Sequence, residues 1–148
     1  MDQFHLAQLN IARMVAPIDE PPMASFQAQL DRINALAEGS PGFIWRLQDE
    51  DGDATSIQAF DDPLILVNMS VWDSLDSLHE YVYQSDHMKL LRNRREWFSH
   101  LGGPTLVLWW VPQDHQPEVE EAKKRLELLA EKGPTTDAFN FGKQFPSA

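Results

Sequence analysis

The sequence predicts an α+β domain of the ferredoxin-like type, an antiparallel sheet with helices on one face and a second copy of the chain against the other. Three observations lead there. The hydrophobic period switches between two and about 3.6 in the order β–α–β–(β)–β–α–α–β–α, which departs from the strict alternation of a doubly wound parallel sheet. The 148 residues, 43% of them hydrophobic, suit one domain, long enough to bury about 70% of the surface of its unfolded chain. The strands are apolar on both faces, whereas the helices suffice for one.

FHLAQLNIA (4–12) reads as the first strand, with Phe4, Leu6, Gln8 and Asn10 on one face and His5, Ala7, Leu9 and Ile11 on the other. A turn rich in Pro and acid follows. Asp19 or Glu20 can face a helix N-terminus, and Pro21 and Pro22 suit its first turn. Met23, Phe26, Leu30, Ile33 and Ala37 form the buried stripe of that helix. Gly39 stands where a left-handed cap belongs, and Pro41 blocks continuation. GFIWRL (42–47) and TSIQAF (55–60), joined through an Asp-Gly turn, predict a hairpin over 42–60.

The strand LILVNMSVW (64–72) runs straight into a helix capped by Asp73 or Ser74, with Leu75, Leu78 and Val82 inward. Ser85 caps a further helix carrying Met88, Leu91, Arg95 and Phe98, which Gly102-Gly103-Pro104 ends. TLVLWWVP (105–112) is the last strand. Composition then shifts. Residues 113–148 form a helix, with Val119, Ala122, Leu126 and Leu129 on one face and Gly133 at its end, followed by an extended arm carrying Phe139, Phe141 and Phe145. Helix and arm are expected to dock on their own domain, residues 1–112, or on a partner subunit.

A formal net charge of −11, from 23 acidic and 12 basic residues, repels phosphate backbones and anionic lipid surfaces, so neither nucleic acid nor membrane is an expected partner. No apolar run reaches the roughly 20 residues of a membrane span, and MDQFHLAQLN lacks the basic and apolar regions of a signal peptide. A cytoplasmic protein is the resulting expectation. The absence of cysteine excludes disulfides, thiolate metal sites and thiol catalysis. The five Trp and eight Phe supply core volume, and they equally suit the wall of a pocket for a flat ligand.

Several apparent motifs fail. DEDGD (49–53) mimics a calcium loop, but aligning Gly52 with the loop glycine puts Leu47 at the first ligand position. His5, His79, His87, His100 and His115 form no HExxH or HxH pattern, so no metal is expected. Arg92, Arg94 and Arg95 fit ion pairing with acidic neighbours or the clamping of an anionic substrate. The most informative row is Leu66, Asn68, Ser70 and Trp72, which alternation places on one strand face. Asn68 and Trp72 are then about 13 Å apart along the backbone, with Ser70 between them. A buried Asn needs partners, so the row is either a tied-up core network or the lining of a cavity beneath the helices. Ile65, Val67, Met69 and Val71 are left for the partner subunit.

VNMSVWDSLDSLHEYVYQSDHMKLL resembles the strand–helix signature of the dimeric α+β barrel superfamily, in particular its antibiotic-biosynthesis monooxygenase group. HLAQLNIA, PGFIWRLQDEDGDATSI, ILVNMSVW and LWWVP are together similar to the uncharacterised family DUF3291, over nearly the whole chain. The resemblance implies a dimeric barrel, hence a homodimer, and a small hydrophobic or aromatic molecule as partner. Cofactor-independent monooxygenases of the superfamily use Asn and Trp in the pattern N-x-x-x-W, matched by Asn68 and Trp72. By that resemblance Asn68 binds the oxygen of a flat phenolic or polyketide-type substrate and stabilises its anion. Trp72 positions the ring and donates its N–H. No flavin or metal cofactor is then needed. Asn10, Ser70, His87 and Trp97 complete the candidate binding set. Asn10 also matches an Asn of the haem-degrading members, but Arg92 falls where their iron-binding His belongs and Val82 where their Trp belongs, which speaks against haem. The alternative to an oxygenase is a noncatalytic small-molecule-binding or stress-related module that uses the same pocket.

Overall fold

The computed structural model describes residues 4–48, 57–84, 87–90 and 94–146. Its centre is β1 (Phe4–Met14), paired antiparallel with β3 (Ile65–Trp72) on one side and β5 (Leu106–Pro112) on the other. β2 (Phe43–Arg46) lies outside β3, and the short β4 (Phe98–Ser99) continues the β5 side of the sheet beside Arg13 and Met14. The order β2-β3-β1-β5 with antiparallel neighbours is the ferredoxin-like arrangement the sequence predicts. β1 ends in a turn, a 3-10 turn at Pro21–Met23 leads into α1 (Ala24–Glu38), and α2 (Leu75–Gln84) follows β3.

Alternation divides the strands cleanly. Leu6, Trp72 and Leu108 face α1 and α2, where they meet Ala37, Leu78 and Tyr81. A neighbouring cluster of Met14, Met23, Phe26, Ile33 and Trp97 continues this layer. On the opposite face Ala7, Leu9, Val67, Met69, Val71, Val107, Trp109 and Val111 form one buried cluster with Ala122, Leu126 and Leu129 of α5 (Val119–Lys132). Each such aliphatic side chain removed from water contributes about 1.5–3 kcal/mol.

This second layer corrects an expectation. Val67, Met69 and Val71, assigned from sequence to a partner subunit, are at most 2% exposed within the single chain. The apolar stripe of α5 needs cover, and the chain folds back to place it on its own sheet. The arm then passes the free edge of β5, where Leu108 and Phe139 exchange backbone hydrogen bonds of 2.8 and 2.9 Å. Beyond the edge it lays Phe139, Phe141 and Phe145 on the face of α1 and α2, and Trp110 Nε1 donates to the Phe145 carbonyl at 2.9 Å.

Smaller differences have local causes. Gly39 closes α1 with φ −89°, so it is not left-handed. Gly42 needs to be glycine on two counts, its φ of +86° and a Cβ that would collide with Ser77 Oγ. Of the predicted hairpin, residues 49–56 lie outside the described ones. β2 takes β3 as its partner, and 57–60 are irregular. Of the helix predicted after α2, the described residues form α3 (His87–Leu90) and α4 (Arg94–Trp97), residues 91–93 lie outside the described ones, and Phe98 begins β4 instead of continuing the helix. Ser85 lies outside the described residues. Ser74 caps α2, its Oγ accepting from Ser77 N at 3.1 Å.

Candidate functional site

The antiparallel register sets side chains of β1 and β3 opposite one another: Leu6 with Trp72, Gln8 with Ser70, and Asn10 with Asn68. From the other side Arg46 of β2 also pairs with Ser70. Arg46, Ser70 and Gln8 therefore form one row across three strands, and Asn68 and Asn10 form the next. All are on the face beneath α1 and α2.

Hydrogen bonds tie this row together. Gln8, only 4% exposed, donates through Nε2 to Asn68 Oδ1 and to Ser70 Oγ, both at 2.8 Å. Trp72 Nε1 donates to the same Ser70 oxygen at 2.8 Å. The Ser70 hydroxyl is a hub with two donors on it, and the buried amide of Gln8 is satisfied by both of its neighbours. Asn68 is the exposed member. Its Oδ1 is engaged by Gln8, which leaves the Nδ2 hydrogens directed to other acceptors.

Above the row lies a cavity of about 420 Å³, within the roughly 300–1,000 Å³ range of small-molecule sites. Phe26, Leu30, Ile33, Leu66, Leu106 and Phe141 give it apolar walls, and Gln8, Asn10, Asn34 and Asn68 give it polar points. Asn34, on α1 and 8% exposed, makes no side-chain hydrogen bond among the described residues. Burial pushes the Tyr81 phenol well above its ordinary range, so it stays protonated. Burial likewise holds the His87 imidazole below its ordinary value. A hydrogen bond with the Val82 backbone opposes this shift and the charge of Arg94 adds to it, so the ring is neutral at neutral pH.

Asn10, Asn68 and His87 therefore stand in the cavity wall. Ser70 lies behind it, 6% exposed, and acts through Gln8. The two tryptophans are elsewhere. Trp72 has no exposure, stacks on Tyr81 at 5.0 Å and meets Phe43 edge-on at 5.5 Å. Its N–H, expected to reach a ligand, is taken by Ser70. Trp97 is 1% exposed, donates to Ser25 Oγ at 2.7 Å and packs on Phe26. Gln8, Asn34 and Arg46 are the wall residues that sequence reasoning missed. Gln8 shares the strand face of Asn10, and Asn34 interrupts the apolar side of α1, so both carried a signal. Arg46 carried none, because its position depends on the β2–β3 register. Among the described residues no group of three His, Asp or Glu side chains could hold a metal ion, and no helix is long and apolar enough to cross a membrane.

A family model described as "Domain of unknown function (DUF3291)" matches residues 5–148. No curated protein matches. Among solved structures the chain is similar to SnoaB, a cofactor-independent oxygenase from Streptomyces nogalater, with 18% identity over 77% of this chain and 98% of that one, at a TM-score of 0.48. It is similar to a Nitrosomonas europaea protein assigned provisionally as an antibiotic biosynthesis monooxygenase, with 10% identity over 80% and 97% of the two chains and a TM-score of 0.49. PA3566 from Pseudomonas aeruginosa shares 11% identity over 75% and 95%, at a TM-score of 0.49.

Proposed function

The chain belongs to the DUF3291 family, which is defined by sequence and not by an activity, and from that premise we propose that it binds a planar, mostly apolar phenolic or polyketide-type molecule and oxidises it with molecular oxygen without a cofactor. The observation that carries this reading is Asn68. Its carbonyl is fixed by Gln8 at 2.8 Å, so its amide hydrogens are left for another acceptor at the polar side of the cavity, beside Gln8, Asn10 and Asn34. An amide so held stabilises an oxygen as it gains negative charge, a usual source of large rate effects. Neutral His87 in the same wall takes the phenol proton. The phenolate gives one electron to O2, the radical pair combines as a ring peroxide anion, and His87 returns the proton to give the ring hydroperoxide. Loss of water then yields the quinone. One oxygen atom enters the product and the other leaves as water, with O2 as the oxidant.

Oxygen uptake with naphthols and anthrols as probes tests the reading. Expected is consumption of one O2 per quinone formed, lowered about 100-fold or more in Asn68→Ala. A second reading, binding without turnover, is favoured by the placement of Trp72, whose N–H is bound to Ser70 and stays clear of the cavity. Saturable binding of these probes with no oxygen uptake would decide for it.

A further inference from the structure

The cavity is unlike the rest of the protein in charge. The chain carries 23 acidic residues against 12 basic ones. Among the described residues the cavity wall nevertheless contains Arg46, Arg94 and His87 and neither Asp nor Glu. An adjoining surface cavity of about 550 Å³ shares Arg94, Phe98 and Thr105 with it, adds Arg95 and His100, and is again free of carboxylates. Among the described lining residues of these two hollows the charged side chains are thus cationic, and the carboxylate beside Arg46 is that of Glu38.

In this region Arg46 has a buried Nε without a hydrogen-bond acceptor among the described residues. Its side chain is 11% exposed, and Glu38, itself about half exposed at 48%, stands 3.5 Å from Nε. That pair is an ion contact without hydrogen-bond geometry, for the buried Nε donates to no acceptor among the described residues. A buried cation with an unused donor is unfavourable unless something else completes it. Asn34, 8% exposed, faces the same space from α1, and Asn68 lies two residues along β3 from Ser70, the register partner of Arg46. We propose that the molecule held here is an anion, a planar aromatic acid whose carboxylate is bound by Arg46. The guanidinium fork matches a carboxylate in shape as well as charge. The inference rests on the reading of the cavity as a small-molecule site and adds the charge of its ligand.

The test compares 1-hydroxy-2-naphthoate with 1-hydroxy-2-naphthamide, neutral and nearly the same in shape, by titration calorimetry against the full chain. Expected is binding of the acid about tenfold or more tighter than the amide, as for a charge-assisted pair. In Arg46→Met the two ligands bind equally, and in Arg46→Lys part of the preference returns. Asn68→Ala weakens acid and amide alike. Arg46→Met without ligand melts at or above the wild-type temperature, because an underpaired buried charge has been removed. Equal affinity of acid and amide for the wild-type chain would overturn the inference and leave the small-molecule reading standing. Binding of neither at millimolar concentration would overturn both. A large fall in melting temperature for Arg46→Met, with the acid preference intact in Arg46→Lys and Glu38→Gln, would make Arg46 a structural ion and also overturn it.

Discussion

Asn68, Gln8 and Trp72 belong to one hydrogen-bonded chain yet differ in what they do, and substitution should separate them. Trp72 and Gln8 are buried and each has a hydrogen bond to the Ser70 hydroxyl. Gln8→Met and Trp72→Phe each leave a buried partner short of one bond, at about 1–3 kcal/mol apiece. Both variants are expected to melt several degrees lower. Asn68→Ala removes one bond at the cavity surface, and Gln8 keeps its bond to Ser70. Its melting temperature should stay within about 2 °C of wild type while ligand affinity falls. A melt for Asn68→Ala as low as that for Gln8→Met would mean that the row is core and not site. Strand alternation was enough to place Asn68, Ser70 and Trp72 on one face. It could not show that Trp72 sinks between Tyr81 and Phe43, because those residues arrive from other elements and the choice of hydrogen-bond partner is made over less than 3 Å.

Among the elements, α5 is the one whose stripe the sequence displayed and whose docking place it left open. Its attachment includes Glu121, which accepts from Trp109 Nε1 of β5 at 2.9 Å and meets His115 Nε2 at 2.6 Å. Burial raises the Glu121 pKa, but the hydrogen bonds from His115 and Trp109 together outweigh it and hold the carboxyl below its ordinary 4.5. A carboxyl depressed by folding stabilises the native state above its unfolded pKa. That contribution disappears as pH falls through the folded value. The melting difference between wild type and Glu121→Gln should therefore be steady from neutrality down to about pH 5 and shrink below the ordinary Glu value of 4.5. A difference that grows on acidification would contradict this account. The elements built from strong periodicity, β1, α1, β3, α2, β5 and α5, were legible within a few residues. The region after α2 was not. There Trp97 and Phe98 pack on Phe26 of α1, so tertiary contacts set the passage from α4 to β4.

For the whole molecule, the decisive fact is that both faces of the sheet are covered within one chain. Without a face assigned to residues 113–148, the sequence shows helices enough for one side of the sheet and predicts a two-fold dimer on the other. Once α5 lies on Val107, Trp109 and Val111, a partner can reach that face only by displacing a helix whose Ala122, Leu126 and Leu129 are themselves buried. Any assembly of the intact chain has to use another surface, and among the described residues the exposed large apolar side chains, Val15, Ile44, Tyr83 and Met88, are scattered over different elements. The intact chain is expected to sediment at micromolar concentration with the 16.9 kDa mass of a single copy. A chain ending at residue 112 lacks both α5 and the arm that closes the β5 edge, so it presents an apolar sheet face together with an unpaired strand, the combination that drives association. It should form dimers or larger species at the same concentration, and it should bind aromatic probes poorly because Phe141 leaves the cavity wall with the arm. A shortened chain that stays soluble, monomeric and binding-competent would show that the C-terminal segment is dispensable and that the sheet face tolerates water.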